Sequence, residues 1–198
     1  MRIMPLVDDA LKASLLVLYN APDRHYHNAA HIESLLAIAL RHRPALIDAD
    51  LVETAIWFHD AIYDSARKDN EEKSAELAAR YLSRRIVPER LHCIVRMIEA
   101  TNTHQVPDLG PEDRRRDAAM FLDMDLAILG APPQEFDIYE AAVRKEYAWV
   151  SEDDWRKGRA AFLTNFLARP SVYNTPLFCQ IYEDQARKNL IRSLDSLT

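Results

Sequence analysis

The spacing of apolar residues is what most limits the fold of this chain. Leu, Ile, Val and aromatic side chains recur three and four positions apart, and no segment alternates with the period of two that a half-buried strand requires. Leu11, Leu15 and Leu18 mark a first helix that stops before Pro22, and a second starts near Asn28 and carries Ile32, Leu35, Leu36 and Ala39 before Pro44. A third follows Asp48, with Val52, Ala55, Ile56, His59 and Ile62 on one stripe. The fourth opens with Asp69 and Glu72 at capping-box spacing and runs to about Ile86. Pro88 suits the first turn of a fifth, which carries Leu91, Ile94, Val95 and Ile98. The sixth runs from about Pro111 to Leu129, with Gly130 as its C-cap. Pro132 and Pro133 open a seventh, Ser151 with Asp154 caps an eighth, and Thr175 and Pro176 open the last. The chain has 198 residues and no repeat, low-complexity stretch or dividing linker. The expectation is an all-α fold, a single domain over 1–198, built as a bundle of about eight to nine helices.

Composition narrows the functions open to such a bundle. Only 3 glycines are present, Gly110, Gly130 and Gly158, each at least twenty residues from the next. A P-loop needs two glycines five residues apart and a dinucleotide fingerprint needs three in a cluster, so neither can be built. Phosphate, if bound, must be held by side chains or a metal. Gly158, inside the eighth helix beside Arg159, suggests a close approach of backbone or ligand. The net charge of −6 argues against a duplex nucleic-acid partner, which would want a basic face. Cys93 and Cys179 have no metal-site spacing and suit a reducing, cytoplasmic setting. The longest uninterrupted apolar run, Leu35 to Leu40, falls far short of the roughly 18 residues a membrane span needs. Asp8, Asp9 and Lys12 interrupt any signal-peptide core, so neither export nor a membrane anchor is expected.

Three places put polar chemistry on otherwise apolar helices. His59 and Asp60 lie on or beside the stripe of the third helix. A buried charge is costly unless paired or bound to a metal, although a lone core histidine is often just hydrogen-bonded. His31 lies in the first turn of the second helix, above Leu35 and Ile38. His27 and His31 have the four-residue spacing of a zinc-protease helix, but Asn28 stands where the catalytic Glu would be and reads as an N-cap, which leaves His27 outside the helix. Asp123 and Asp125 sit in a segment that is apolar on all sides. They point about 200° apart, so at most one faces a given centre. Periodicity does not decide which.

The ordered series His31, His59-Asp60 and Asp125 resembles the H…HD…D signature of the HD-domain superfamily of metal-dependent phosphohydrolases. The likeness extends through Tyr26-His27-Asn28, the run from Trp57 to Asp64, Asp69 to Ala75, Thr101 with His104, and Leu122 to Leu126. It continues in Arg144-Lys145-Glu146-Tyr147, Gly158-Arg159 and Ala186 to Leu190, and so covers nearly the whole chain. These segments are similar to one small bacterial family labelled predicted metal-dependent HD phosphohydrolase. The resemblance implies a helical bundle with one divalent metal ion held by His31, His59, Asp60 and Asp125. Asp125 rather than Asp123 matches because the motif aspartate precedes the Leu of the D-L pair. Dinuclear members carry two further histidines in the interval where His92 and His104 lie here, but the spacing does not fit, so one ion is expected.

Two imidazoles and two carboxylates form a mixed nitrogen and oxygen set that suits Mn, Fe, Co, Ni, Zn or Mg. Such an ion acidifies its water and can hold a phosphoryl oxygen. The expected reaction is hydrolysis of a phosphate ester or anhydride in a small nucleotide or other phosphorylated metabolite. The acidic motif after His59-Asp60 differs from that of (p)ppGpp hydrolases, which disfavours that substrate. Asp64, read as one helical turn past Asp60, is the first choice to orient the water or protonate the leaving oxygen, and Glu72 the second. The resemblance points to His27, His104, Arg144, Arg159 and Arg187 as substrate contacts. Competing readings are a metal-containing binding or regulatory module without turnover, and a di-iron HD oxygenase, which needs six protein ligands. The expected partner is a small phosphorylated substrate, with neither duplex nucleic acid nor membrane. A homodimer is compatible with this reading.

Overall fold

The computed structural model describes residues 5–197. It is all-α, as the apolar spacing predicts, with no strand among the described residues. Among the described residues nine α-helices follow one another: α1 (Asp9–Tyr19), α2 (Ala29–Arg41), α3 (Ala49–Phe58), α4 (Asn70–Leu82), α5 (Pro88–Ala100), α6 (Glu112–Asp125), α7 (Pro133–Glu146), α8 (Glu152–Leu167) and α9 (Pro176–Ser196). Two short 3-10 segments, Arg43–Ala45 and Leu126–Gly130, lie between them. No helix among the described residues is long and apolar enough to cross a membrane.

Helix starts follow the local chemistry read from the sequence. Asn28 caps α2, its side chain accepting from the N–H groups of Ala30 and His31. Asp48 caps α3 by accepting from Leu51, Ser151 caps α8 by accepting from Asp154, and Thr175 caps α9 by accepting from Phe178. Each supplies an acceptor for an N–H that has no partner inside its own helix. The expected capping box at α4 does not form. Asp69 makes no side-chain cap bond, because Arg67 donates to both its carboxylate oxygens at 2.8 and 2.6 Å.

The described residues up to Met124 form one compact unit and those from Asp125 onward a second. In the first, α3 is the central helix and touches α1, α2, α4 and α5. Its sequence explains this: Leu51, Val52, Thr54, Ala55, Ile56, Trp57 and Phe58 are all buried, so the helix is enclosed on every side. Around it lie Leu15, Ile32, Leu82, Ile94, Met97 and Phe121, each worth roughly 1.5–3 kcal/mol when fully buried. Asp117 of α6 is buried, and its carboxylate accepts from the N–H groups of Ile47 at 2.9 Å and Asp48 at 2.7 Å. This fixes the path of the chain into α3.

The second unit is built from α7, α8, α9 and the 3-10 segment after α6. The expected sixth helix to Leu129 instead stops as α-helix at Asp125 and tightens into 3-10 form over Leu126–Gly130. Asn189 of α9 donates to the carbonyls of Leu129 at 2.9 Å and Ala131 at 2.8 Å, and the Tyr173 hydroxyl donates to that of Leu126. Those side chains supply donors to carbonyls beyond the end of the α-helix. Gly130 is not the C-cap expected from the sequence but the last residue of the 3-10 segment, which Ala131 caps. A Cβ there would lie 2.6 Å from Tyr182 Cβ and 2.8 Å from the Tyr173 hydroxyl, so its role is close packing. Gly158 has nothing within 4 Å of a Cβ position, which corrects the expectation of a close approach there.

Candidate metal centre

The site begins where α3 ends. The sequence places His59 and Asp60 on the third helix with Ile62 continuing its stripe, but α3 closes at Phe58 and His59 is its C-cap. Asp60 and the residues after it therefore lie in a turn. Three side chains hold that turn. Arg24 donates to the carbonyls of Asp60 at 2.6 Å and Ala61 at 2.9 Å. Buried Ser74 accepts from the N–H of Ile62 and donates to its carbonyl, at 3.0 and 3.1 Å. Asn70 bonds both backbone groups of Asp64, at 3.0 and 2.9 Å.

His31 and His59 are almost fully enclosed, at 6% and 1% exposure. His59 Nδ1 lies 2.9 Å from the carbonyl oxygen of Ile56. A carbonyl can only accept, so Nδ1 carries a proton and Nε2 is the ring nitrogen left for a metal. That Nε2 lies 3.2 Å from Nε2 of His31. Two nitrogen ligands about 2.1 Å from one ion, at angles near 90–110°, stand about 3.0–3.4 Å apart. The pair therefore has the separation of two ligands on a single ion. The Phe121 and His59 rings stand nearly perpendicular at 5.8 Å between centroids, and the Tyr26 and His31 ring centroids are 4.8 Å apart.

Asp125, the last residue of α6, completes a group with these histidines that could hold a metal ion: one ligand atom from each lies within 4.8 Å of the others. Asp123, fully buried two residues earlier, is not in this group. The choice that periodicity left open falls on Asp125. Asp60 lies against both imidazoles, its Oδ2 3.0 Å from His59 Nε2 and 3.6 Å from His31 Nε2. Burial works against its ionisation, but His59, His27 and His31 outweigh it and hold the carboxyl well below the usual carboxylate range.

The other residues expected at the site have varied surroundings. Asp64 is exposed and off the helix, so it is not one helical turn past Asp60; its carboxylate accepts from the N–H of Ala66. Glu72 is exposed in the first turn of α4. His27 lies outside α2, as the Asn28 cap predicts, and stacks on Tyr63 with ring centroids 4.2 Å apart. His104 is half-buried in a turn after α5, at φ 52° in the left-handed region. His92 is exposed on α5.

Three arginines of the second unit have internal acceptors. Arg144 donates to the carbonyls of Tyr147 and Val150 and to Glu152. Arg159 is buried and pairs with Glu140, with a further bond to the Tyr139 hydroxyl at 2.9 Å. Arg187 bonds Glu183 and the carbonyls of Leu167, Arg169 and Pro170.

Sequence reasoning missed Arg24, Ser74 and Asn70. Each bonds backbone groups across a sequence separation that no helical period encodes, so residue spacing carries no signal for them. Comparison of the chain with family models, curated proteins and solved structures finds no match.

Proposed function

We propose that this chain is a metal-dependent phosphohydrolase acting on a small phosphorylated metabolite or nucleotide. The observation that carries this reading is the buried pair of imidazole nitrogens, 3.2 Å apart, with carboxylates of Asp60 and Asp125 beside them. His31, His59, Asp60 and Asp125 would hold one divalent ion from the series Mn, Fe, Co, Ni, Zn and Mg. When bound, such an ion supplies a Lewis acid and a water acidic enough to attack phosphorus near neutral pH.

The protein's part is orientation and proton handling. The Ile56 carbonyl keeps His59 in the tautomer that can ligate. Asp60, held ionised by its neighbours, contributes negative charge that favours a cation. Hydrolysis requires one proton to leave the attacking water and one to reach the leaving oxygen, and Asp64 and Glu72 are the proposed carriers. His27 and His104 are the proposed substrate contacts in the first unit. A phosphate reaching Arg144, Arg159 or Arg187 has to displace an internal acceptor from each. The two free cysteines support a reducing, cytoplasmic setting.

A metal-containing binding module without turnover is a second reading. It is favoured by Asp64, whose carboxylate serves the turn by accepting from Ala66. One experiment separates the two: phosphate release from a panel of nucleotides and phosphorylated metabolites, run with several divalent metals and with elemental analysis of bound metal. The hydrolase reading expects phosphate release that H59A and D60A abolish together with the metal. Bound metal without release on any member favours the binding module, and metal retained in both variants overturns the ligand assignment.

A further inference from the structure

We infer that Arg24 is a positioning residue for the metal centre, a role that rests on the metal reading above. Arg24 lies half-buried in the loop between α1 and α2. Its guanidinium donates to three backbone carbonyls: His27 at 3.0 Å, Asp60 at 2.6 Å and Ala61 at 2.9 Å. It also lies over the rings of Tyr19 and Tyr63, at 5.1 and 5.6 Å from their centroids. Tyr19 in turn donates its hydroxyl to the carbonyl of Trp57, near the end of α3.

These acceptors fall at the two places where ligand-bearing backbone is least supported by its own secondary structure. Asp60 and Ala61 follow the end of α3, so their carbonyls have no later helical N–H to receive. Arg24 supplies those donors and so fixes the peptide planes on the C-terminal side of Asp60, which aims its side chain. His27 immediately precedes Asn28, the cap of the helix that carries His31. One guanidinium thus ties the Asp60 turn to the entry of the His31 helix and sets how far apart the two ligand-bearing segments stand. The planar fork of Arg reaches three divergent carbonyls at once, whereas the compact ammonium of Lys does not reproduce that geometry.

Asp48 provides an internal control. It caps the N-terminus of α3, accepting from the N–H of Leu51, at the end of the helix opposite His59. Substitution of Asp48 therefore lowers stability without releasing the peptide planes that aim the ligands.

The test is titration of metal-free wild type, R24A, R24K and D48A with Co2+. Affinity is read by calorimetry, coordination by the visible absorption bands of bound Co2+, and folding by circular dichroism and Tm. Loss of a group that orients ligands weakens metal binding about 10–100-fold. That loss is expected for R24A, with altered Co2+ bands, a smaller loss for R24K, and wild-type affinity for D48A despite its lowered Tm. If R24A does not fold, R24K decides: weaker binding in a folded R24K supports the role. Wild-type affinity and spectrum in R24K, or equal losses in D48A and the Arg24 variants, overturn it. Wild type that binds no Co2+ overturns the metal reading itself, which is a different result from a wild type that binds and Arg24 variants that bind equally well.

Discussion

The Nε2 atoms of His31 and His59 face one another at 3.2 Å, while Nδ1 of His59 is committed to the Ile56 carbonyl. That commitment leaves Nε2 as the ring nitrogen that can ligate. In protein loaded with Zn2+, nitrogen NMR of the His59 ring is expected to find Nδ1 protonated and Nε2 bound to the metal. A ring protonated at Nε2 alone removes the basis for His59 as a ligand through that atom.

Metal binding to the folded state alone raises stability by mass action. At a free metal concentration about 100 times Kd the gain is about 2.7 kcal/mol. Tm of wild type is expected to rise with Mn2+, Co2+ or Zn2+ and to fall back with EDTA, while H31A and H59A show no such response. An equal rise in the variants places the binding elsewhere.

Asp60 links the site to pH. Its carboxyl is held below the usual range in the folded state, so its ionised form stabilises the fold above its unfolded value, about 3.9. That contribution is lost as pH falls from there through the lower folded value. In metal-free protein, the stability difference between wild type and D60N is expected to shrink as pH falls below about 4. Chemical denaturation from about pH 5 downward measures it, and a difference that grows across that range contradicts the sign.

Two glycines make opposite predictions. G130A forces a Cβ to within 2.6 Å of Tyr182 Cβ and 2.7 Å of the Tyr182 carbonyl oxygen, a clash with backbone that no rotamer relieves. It is expected to cost about 1–3 kcal/mol or more. G158A meets nothing within 4 Å in the interior of α8 and is expected to stabilise by about 0.5–1 kcal/mol. Urea midpoints of the two variants, shifted in opposite directions, are the check.

Arg159 and Glu140 form a pair in which Arg159 is 7% exposed. Removing one partner leaves the other charge without compensation, at a cost of about 3–5 kcal/mol. R159A and E140A are each expected to be strongly destabilised, and the double variant less than the sum of the two. A double-mutant cycle by denaturant unfolding measures the coupling, and additive losses contradict it.

How much was legible differs between the helices and the site. The caps Asn28, Asp48, Ser151 and Thr175 act within three residues of themselves, so each could be read from the local sequence and each is in place. The burial of His31 and His59 was readable for the same reason, from the apolar residues three and four positions away. Asp69 misleads because Arg67 competes for its carboxylate. Gly130 misleads because its neighbours are Tyr182 and Tyr173, more than forty residues later.

The sequence by itself determined that this chain is helical, where its helices start, and which polar residues lie on apolar faces. All of these depend on side chains within about one helical turn of each other. Only the tertiary structure decided that α3 stops at Phe58 and that Arg24 grips the turn bearing Asp60, and it groups with His31 and His59 the Asp125 that the resemblance implied and residue spacing left open. Those outcomes depend on contacts outside any helical period, such as Arg24 with Asp60, 36 residues apart, and His31 with His59, 28 apart. A periodic pattern says which face of a helix goes inward, but it says nothing about what that face meets.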